Sequence, residues 1–255
     1  MYLFPNSQNN ELIMTNILMR MLLVLCLFSS SVFAQYGAPD GQWPTYGGDL
    51  GHTRYSALDQ IDAGNFSDLE VAWRFKTDNL GPAPEYRFQA TPLMVDGIIY
   101  TTAGSRRAVV ALDAETGELL WKYSMNEGER GAFAPRQLSG RGLAFWQNED
   151  ESTVIYVTPG YQMVALNADS GLPVDNFGNN GVVDLKQNAD QQIDLVTGEI
   201  GLHATPIVAK DVIIVGAAHR TGGNPRSREN VKGYVRGFDV RTGERLWIFH
   251  NIPLP

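Results

Sequence analysis

The stretch Ala111-Leu112-Asp113-Ala114-Glu115-Thr116-Gly117-Glu118-Leu119-Leu120-Trp121 constrains this chain more than any other, because it comes back. Its skeleton is a small residue, an Asp two later, Thr-Gly after that and a closing Trp. The skeleton recurs as Gly237-Phe238-Asp239-Val240-Arg241-Thr242-Gly243-Glu244-Arg245-Leu246-Trp247. A weaker copy runs from Ala165 to Asp175, with Asn167, Ser170 and Gly171 in the turn and Asp175 where the Trp should be. A faint first copy keeps Ala63, Asn65 and Trp73. Self-similarity of this kind marks a repeat architecture.

Each copy reads as strand, tight turn, strand. Val109 to Leu112 is apolar and β-branched enough for an inner strand. Asp113 suits an Asx turn, and Gly117 supplies the positive φ of a hairpin exit. Trp121 is a flat side chain suited to the gap between neighbouring sheets, with an N–H that needs an acceptor. Upstream, Thr91 to Thr102 reads as two strands around Asp96-Gly97, a strong hairpin signal. Thr91 to Tyr123 therefore gives one four-stranded antiparallel sheet. The pattern restarts at Gly142-Leu143-Ala144-Phe145-Trp146, and again at Ala204 to Val215, which echoes Ala90 to Val95. Leu69 to Phe75 is expected to be a further strand, Asp184 to Gly201 and Arg220 to Lys232 polar inserts, and no stretch shows a sustained helical period.

The fold class is thus all-β: a partial β-propeller of four-stranded antiparallel blades joined by tryptophan-docking motifs. Blades of this kind bury their faces only against their neighbours. Two good copies, one weaker and one faint are too few for a ring of typically about four to eight blades. The expectation is that residues 35–255 are the N-terminal blades of an incomplete ring belonging to a longer protein. Alone, such a chain should expose sheet edges and catalyse nothing.

Residues 1–34 read differently. Arg20, the apolar run Met21 to Phe28 and the small-residue site Val32-Phe33-Ala34 predict a secretory signal peptide cleaved after Ala34. An uncleaved anchor is the competing reading, and translation starting at Met14 or Met19 would suit a signal better than the residues before Met14. The single cysteine, Cys26, lies in this leader, so the mature chain has no thiol chemistry. A net charge of -8 without a basic cluster argues against a nucleic-acid partner. His52, His203, His219 and His250 lack ligand spacing, so no metal site is assigned, and Glu149-Asp150-Glu151 reads as a solvated turn.

These repeats resemble the tryptophan-docking motifs of the quinoprotein alcohol and sugar dehydrogenases, eight-bladed propellers that bind pyrroloquinoline quinone. The resemblance extends to the arm Trp43-Pro44-Thr45-Tyr46-Gly47-Gly48-Asp49 to Arg54-Tyr55-Ser56, to Leu69 to Trp73, to Arg141 to Trp146 and to Gly233 to Asp239. It implies oxidation of a sugar, polyol or alcohol in the periplasm, with hydride passed to the quinone. Calcium would act as Lewis acid, its ligands beyond the chain end. No catalytic base is assigned within the chain. The implied partners are the small substrate and a quinone or cytochrome c acceptor, with peripheral membrane association.

Arg141 falls where the family carries an arginine that reaches the quinone carbonyl oxygens; a surface arginine in a Gly-rich loop is the alternative. Gln89 stands where many members carry a cofactor-binding Glu, and His203 where relatives often have Thr; either could instead be structural. Ala217, Ala218 and His219 occupy a stretch where a calcium-binding Glu is usual. Pro135 and Arg136 replace the adjacent cysteines of several members, which moves the resemblance towards the sugar and polyol branch. The rivals are a non-catalytic propeller scaffold of the outer-membrane-assembly type and a decayed product without function. The arm and the long inserts favour the enzyme, because a scaffold needs neither.

Overall fold

The computed structural model describes residues 37–219 and 230–252. The leader and most of the Arg220 to Lys232 insert lie outside the described residues.

Three antiparallel sheets of four strands each follow one another along the chain. The first holds β1 (Leu93–Val95), β2 (Ile98–Ala103), β3 (Ala108–Asp113) and β4 (Leu119–Tyr123), in that spatial order. The second holds β5 (Ala144–Gln147), β6 (Ser152–Val157), β7 (Gln162–Asn167) and β8 (Val182–Asp184). The third holds β9 (Ile207–Ala209), β10 (Val212–Val215), β11 (Val235–Asp239) and β12 (Arg245–Phe249). This is the blade pattern of a partial propeller, as the repeats predict. Asp96 and Gly97 both take positive φ, 49° and 81°, as the two-residue turn between β1 and β2 demands.

Strand periodicity explains how the sheets stack. Successive side chains point to opposite faces. Along β3, Val109 and Ala111 face the second sheet and meet Val154, Tyr156, Val164 and Leu166. Ala108, Val110 and Leu112 face the other way, towards Leu80, Trp73 and Phe75. In the second sheet Ile155, Val157, Met163 and Ala165 point on to Ile213, Val215 and Phe238 of the third. Inner strands buried on both faces need continuous apolar runs, which is why Val109 to Leu112 and Thr153 to Val157 do not alternate with polar residues.

The repeated turn is built as its sequence dictates. Asp113 Oδ1 accepts from the N–H groups of Glu115 and Thr116 and from Thr116 Oγ1, at 3.1, 2.7 and 2.8 Å. Asp239 does the same for Arg241 and Thr242, and Asn167 for Ser170. A register shift in both full copies sets Trp121 opposite Ala111 and Trp247 opposite Gly237, which explains the small residue that opens the repeat. The tryptophans dock forward. Trp73 donates its ring N–H to Ala114 O and lies over Gly117; Trp121 donates to Ala168 O and lies over Gly171. At Gly117 and Gly171, with φ of 73° and 70°, a Cβ would come within 2.5 Å of the indole.

Two expectations are corrected. Asp175 does not take the place of the missing Trp. Phe177, two residues on and fully buried, lies against Gly243 of the third sheet. The outer strand of the second sheet is split to allow this: Pro173 bridges Leu166, the chain detours through Phe177, and β8 returns beside β7. Leu69 to Phe75 forms no strand; no described strand runs alongside it, and docking of Trp73 rather than a ladder holds it. Among the described residues one short α-helix, α1 (Gly128–Phe133), lies between the first and second sheets, placed by Arg130, which pairs with Asp184 and donates to Gly160 O. The polar insert after Asp184 contains another turn of the repeat type, Asp194-Leu195-Val196-Thr197-Gly198, with Asp194 Oδ1 accepting from Val196 and Thr197. It was hidden in the sequence because no strands flank it.

Candidate functional site

The segments ahead of β1, β5 and β9 carry Gln89, Arg141 and His203, and backbone hydrogen bonds bring them together. Thr91 N–H donates to Arg141 O, and Arg141 N–H donates to His203 O, both at 3.0 Å. The close approach at Arg141 requires Gly142: a Cβ there would sit 3.0 Å from Thr91 O, and its φ is 121°. His203 Nε2 lies 2.9 Å from Gln89 Oε1. With an amide oxygen as partner, the imidazole proton sits on Nε2 and Nδ1 is left as an acceptor. All three sequence-predicted site residues therefore stand at one end of the first strands.

The electrostatics are one-sided. Burial, and then the guanidinium groups of Arg107, Arg141, Arg136 and Arg87, hold the His203 imidazole below its ordinary value, so it is neutral at neutral pH. The field at His203 is therefore positive, which favours an anionic ligand.

The N-terminal arm reaches Arg141 and lines a cavity beside it whose wall does not include Gln89 or His203. Trp43 pairs with Met94 on β1 through two backbone hydrogen bonds. Asp49 fixes the following turn by accepting from Thr53 and Gly37. Tyr46 is thereby placed so that Arg141 Nη1 donates to its hydroxyl at 3.1 Å. Arg54 lies over the Tyr46 ring, 5.8 Å from its centroid, and His52 is tilted against it. Between this arm, β5 and β9 lies a cavity of about 450 Å³, with Tyr46, His52, Arg54, Arg141, Phe145 and Pro206 in its wall and no carboxylate. Tyr46 carries no sequence signal as a site residue beyond its place in the arm. Arg107 carries even less, since nothing around Ser105-Arg106-Arg107 shows that one of two adjacent arginines is buried.

The calcium expectation finds no donors here. Ala217 and Ala218 lead to His219, whose Nδ1 lies 2.9 Å from Glu199 O. Among the described residues no three His, Cys, Asp or Glu side chains come together.

Residues 43–255 match the family model "PQQ: Glucose/ethanol/alcohol dehydrogenase, beta-propeller domain". The chain belongs to this family. It is 31% identical to the quinohemoprotein alcohol dehydrogenase of Comamonas testosteroni over 91% of this chain and 32% of that protein. It is 29% identical to the quinoprotein glucose dehydrogenase of Escherichia coli strain K12, over 82% of this chain and 27% of that protein. Among solved structures, the quinohemoprotein alcohol dehydrogenase ADHIIG of Pseudomonas putida HK5 superposes with a TM-score of 0.67 at 29% identity, over 84% of this chain and 28% of that one. A europium-containing methanol dehydrogenase gives 0.62 at 28% identity, over 82% of this chain and 31% of that one. The chain spans about a third or less of the length of these relatives.

Proposed function

We propose that this chain forms the N-terminal blades of a periplasmic dehydrogenase that oxidises a sugar, polyol or alcohol and uses pyrroloquinoline quinone. The observation that carries the reading is the convergence of Arg141, His203 and Gln89 within a cationic field, in a chain of the quinoprotein family. Enzyme rather than scaffold is favoured by the arm, which supplies Tyr46 to Arg141. The periplasm is supported by the leader pattern ending at Ala34.

When bound, the quinone supplies the hydride acceptor. The protein's part is to hold it. Arg141, kept in place by Tyr46, offers a fixed cation to electron-rich oxygens, where charge develops as hydride arrives. His203 and Gln89 offer hydrogen-bonding groups beside it. A positive surround lowers the cost of bringing an acidic ligand out of water. No step is derived through calcium, because the described residues do not gather ligands for it. The replacement of an adjacent cysteine pair by Pro135 and Arg136 favours a sugar or polyol over methanol.

The test is quinone binding to the full-length protein, read by quenching of tryptophan fluorescence, followed by dye reduction with a panel of alcohols and sugars in the presence of calcium. Arg141→Gln should weaken quinone binding roughly tenfold or more, the scale of losing a charged hydrogen bond. A parent protein that does not bind the quinone would falsify the reading.

A further inference from the structure

The geometry points to Arg107 as the positioning residue of this site: one buried guanidinium clamps together the segments that present Arg141 and His203. The inference rests on the function proposed above, which it deepens.

Arg107 closes the turn between β2 and β3, remote in sequence from either residue, and is 2% exposed. Its Nε donates to Leu138 O at 2.9 Å and its Nη2 to Arg136 O at 2.9 Å. Nη1 donates to both Val157 O and Leu202 O at 2.8 Å. Arg136 and Leu138 lie on the run into Arg141, Leu202 immediately precedes His203, and Val157 ends β6 of the second sheet. One side chain thus ties the first sheet to the end of β6 and to the segments leading into the second and third sheets, and every acceptor is a backbone carbonyl. A lysine could not reproduce this fork, because its three donors radiate from one atom.

No carboxylate pairs with Arg107 directly. The two acidic groups around it are committed to other hydrogen-bond donors. Glu85 accepts from Gly104 and Ser139 N–H groups, and Glu127 accepts from Gly160 N–H, Thr158 Oγ1 and Gln162 Nε2. A buried cation is costly unless its hydrogen bonds are satisfied, and four carbonyls meet that need here. Burial still depresses its pKa to about 10, so it stays charged at neutral pH. That charge is one of four guanidinium groups facing His203, with Arg87, Arg136 and Arg141; the Gln89 amide is the imidazole's hydrogen-bond partner. Arg107 thereby acts twice on His203, through the carbonyl of Leu202 and through its field.

The experiment compares the full-length parent with Arg107→Lys and Arg107→Gln. Both variants should bind pyrroloquinoline quinone about tenfold more weakly or worse, because the Arg136 to Arg141 run and Leu202 lose their anchor. Titration of the His203 imidazole, followed by NMR without quinone, should separate them. The midpoint rises in Arg107→Gln, which lacks the charge, and stays near the parent value in Arg107→Lys, which keeps it. A role confined to packing would move neither midpoint. An Arg107→Lys protein that binds quinone as the parent does, or a His203 midpoint equal in all three, overturns the proposal. If neither variant folds, amide exchange in the parent decides: Thr91 and Arg141 N–H groups should be protected to the level of the β6 core, and exchange at loop rates overturns the clamp. A parent that binds no quinone defeats the proposed function only, since the titration and exchange readouts do not use it.

Discussion

At the joint into the first sheet Trp73 lies over Gly117, and at the joint into the second Trp121 lies over Gly171. At the joint into the third, Val183 comes nearest Gly243 and the Phe177 ring packs beside it. The tryptophans are half-buried and each ties its ring N–H to the carbonyl that follows the turn's Asp or Asn, Ala114 O or Ala168 O. Phe177 has no such donor. The backbone supplies one instead, as Gly178 N–H donates to Thr242 O at 2.8 Å. Each joint thus has apolar side chains packed on the turn glycine and one hydrogen bond to the turn. The two need not come from one side chain.

The largest effect should come from emptying the third joint. Phe177→Ala removes a fully buried aromatic ring, and a loss of about 3–5 kcal/mol in urea unfolding is expected. A loss below about 1 kcal/mol would break the equivalence with the tryptophan joints, since an open site collapses cheaply only if little packed there. Next come Gly117→Ala and Gly171→Ala. Each forces a Cβ into the docked indole and an alanine into positive φ, at about 1–3 kcal/mol. Trp121→Phe should cost less, about 1 kcal/mol, because a ring remains and only the bond to Ala168 O is lost. It would turn the second joint into a version of the third without the backbone substitute.

The smallest effect separates the turns by acid. In the Asp113 turn, the Thr116 hydroxyl and then its N–H hold the carboxylate below its ordinary value. In the Asp239 turn burial works against ionisation, but hydrogen bonds from Thr242 and Arg241 outweigh it. Both carboxylates bind fewer protons in the folded chain, so their contribution is present above the ordinary carboxylate pKa and is lost as pH falls through the lowered value. Asn167 does not titrate. Asp113→Asn should therefore lower the melting temperature of the full-length protein slightly at pH 7 and flatten its fall below about pH 4. An unchanged acid limb would show that this turn does not sense protons.

Much of the architecture was legible because it is local. The turns are closed by hydrogen bonds within three residues of Asp113, Asn167 and Asp239, and the hairpin at Asp96-Gly97 needs only its own two dihedral pairs. The three candidate residues, Gln89, Arg141 and His203, are singled out by the resemblance of short segments ahead of each first strand, and the fold brings those segments together. Leu69 to Phe75 forms no strand because alternation describes a strand's faces but does not supply a neighbour to pair with.

The repeat, its turns and the apolar runs that stack the sheets can be read along the chain, since each follows from neighbours a few residues apart. That Phe177 packs at the third joint, that Tyr46 reaches Arg141, and that Arg107 rather than Arg106 is buried emerge on folding alone. The physical reason is separation along the chain. Arg107 meets Leu202 across 95 positions and Arg141 meets Tyr46 across the same number, and no local pattern encodes a partner at that distance. Such pairs exist because the sheets, once stacked by their apolar faces, leave a buried space where carbonyls of the second sheet and of the segments leading into the second and third sheets point inward and a forked cation fits.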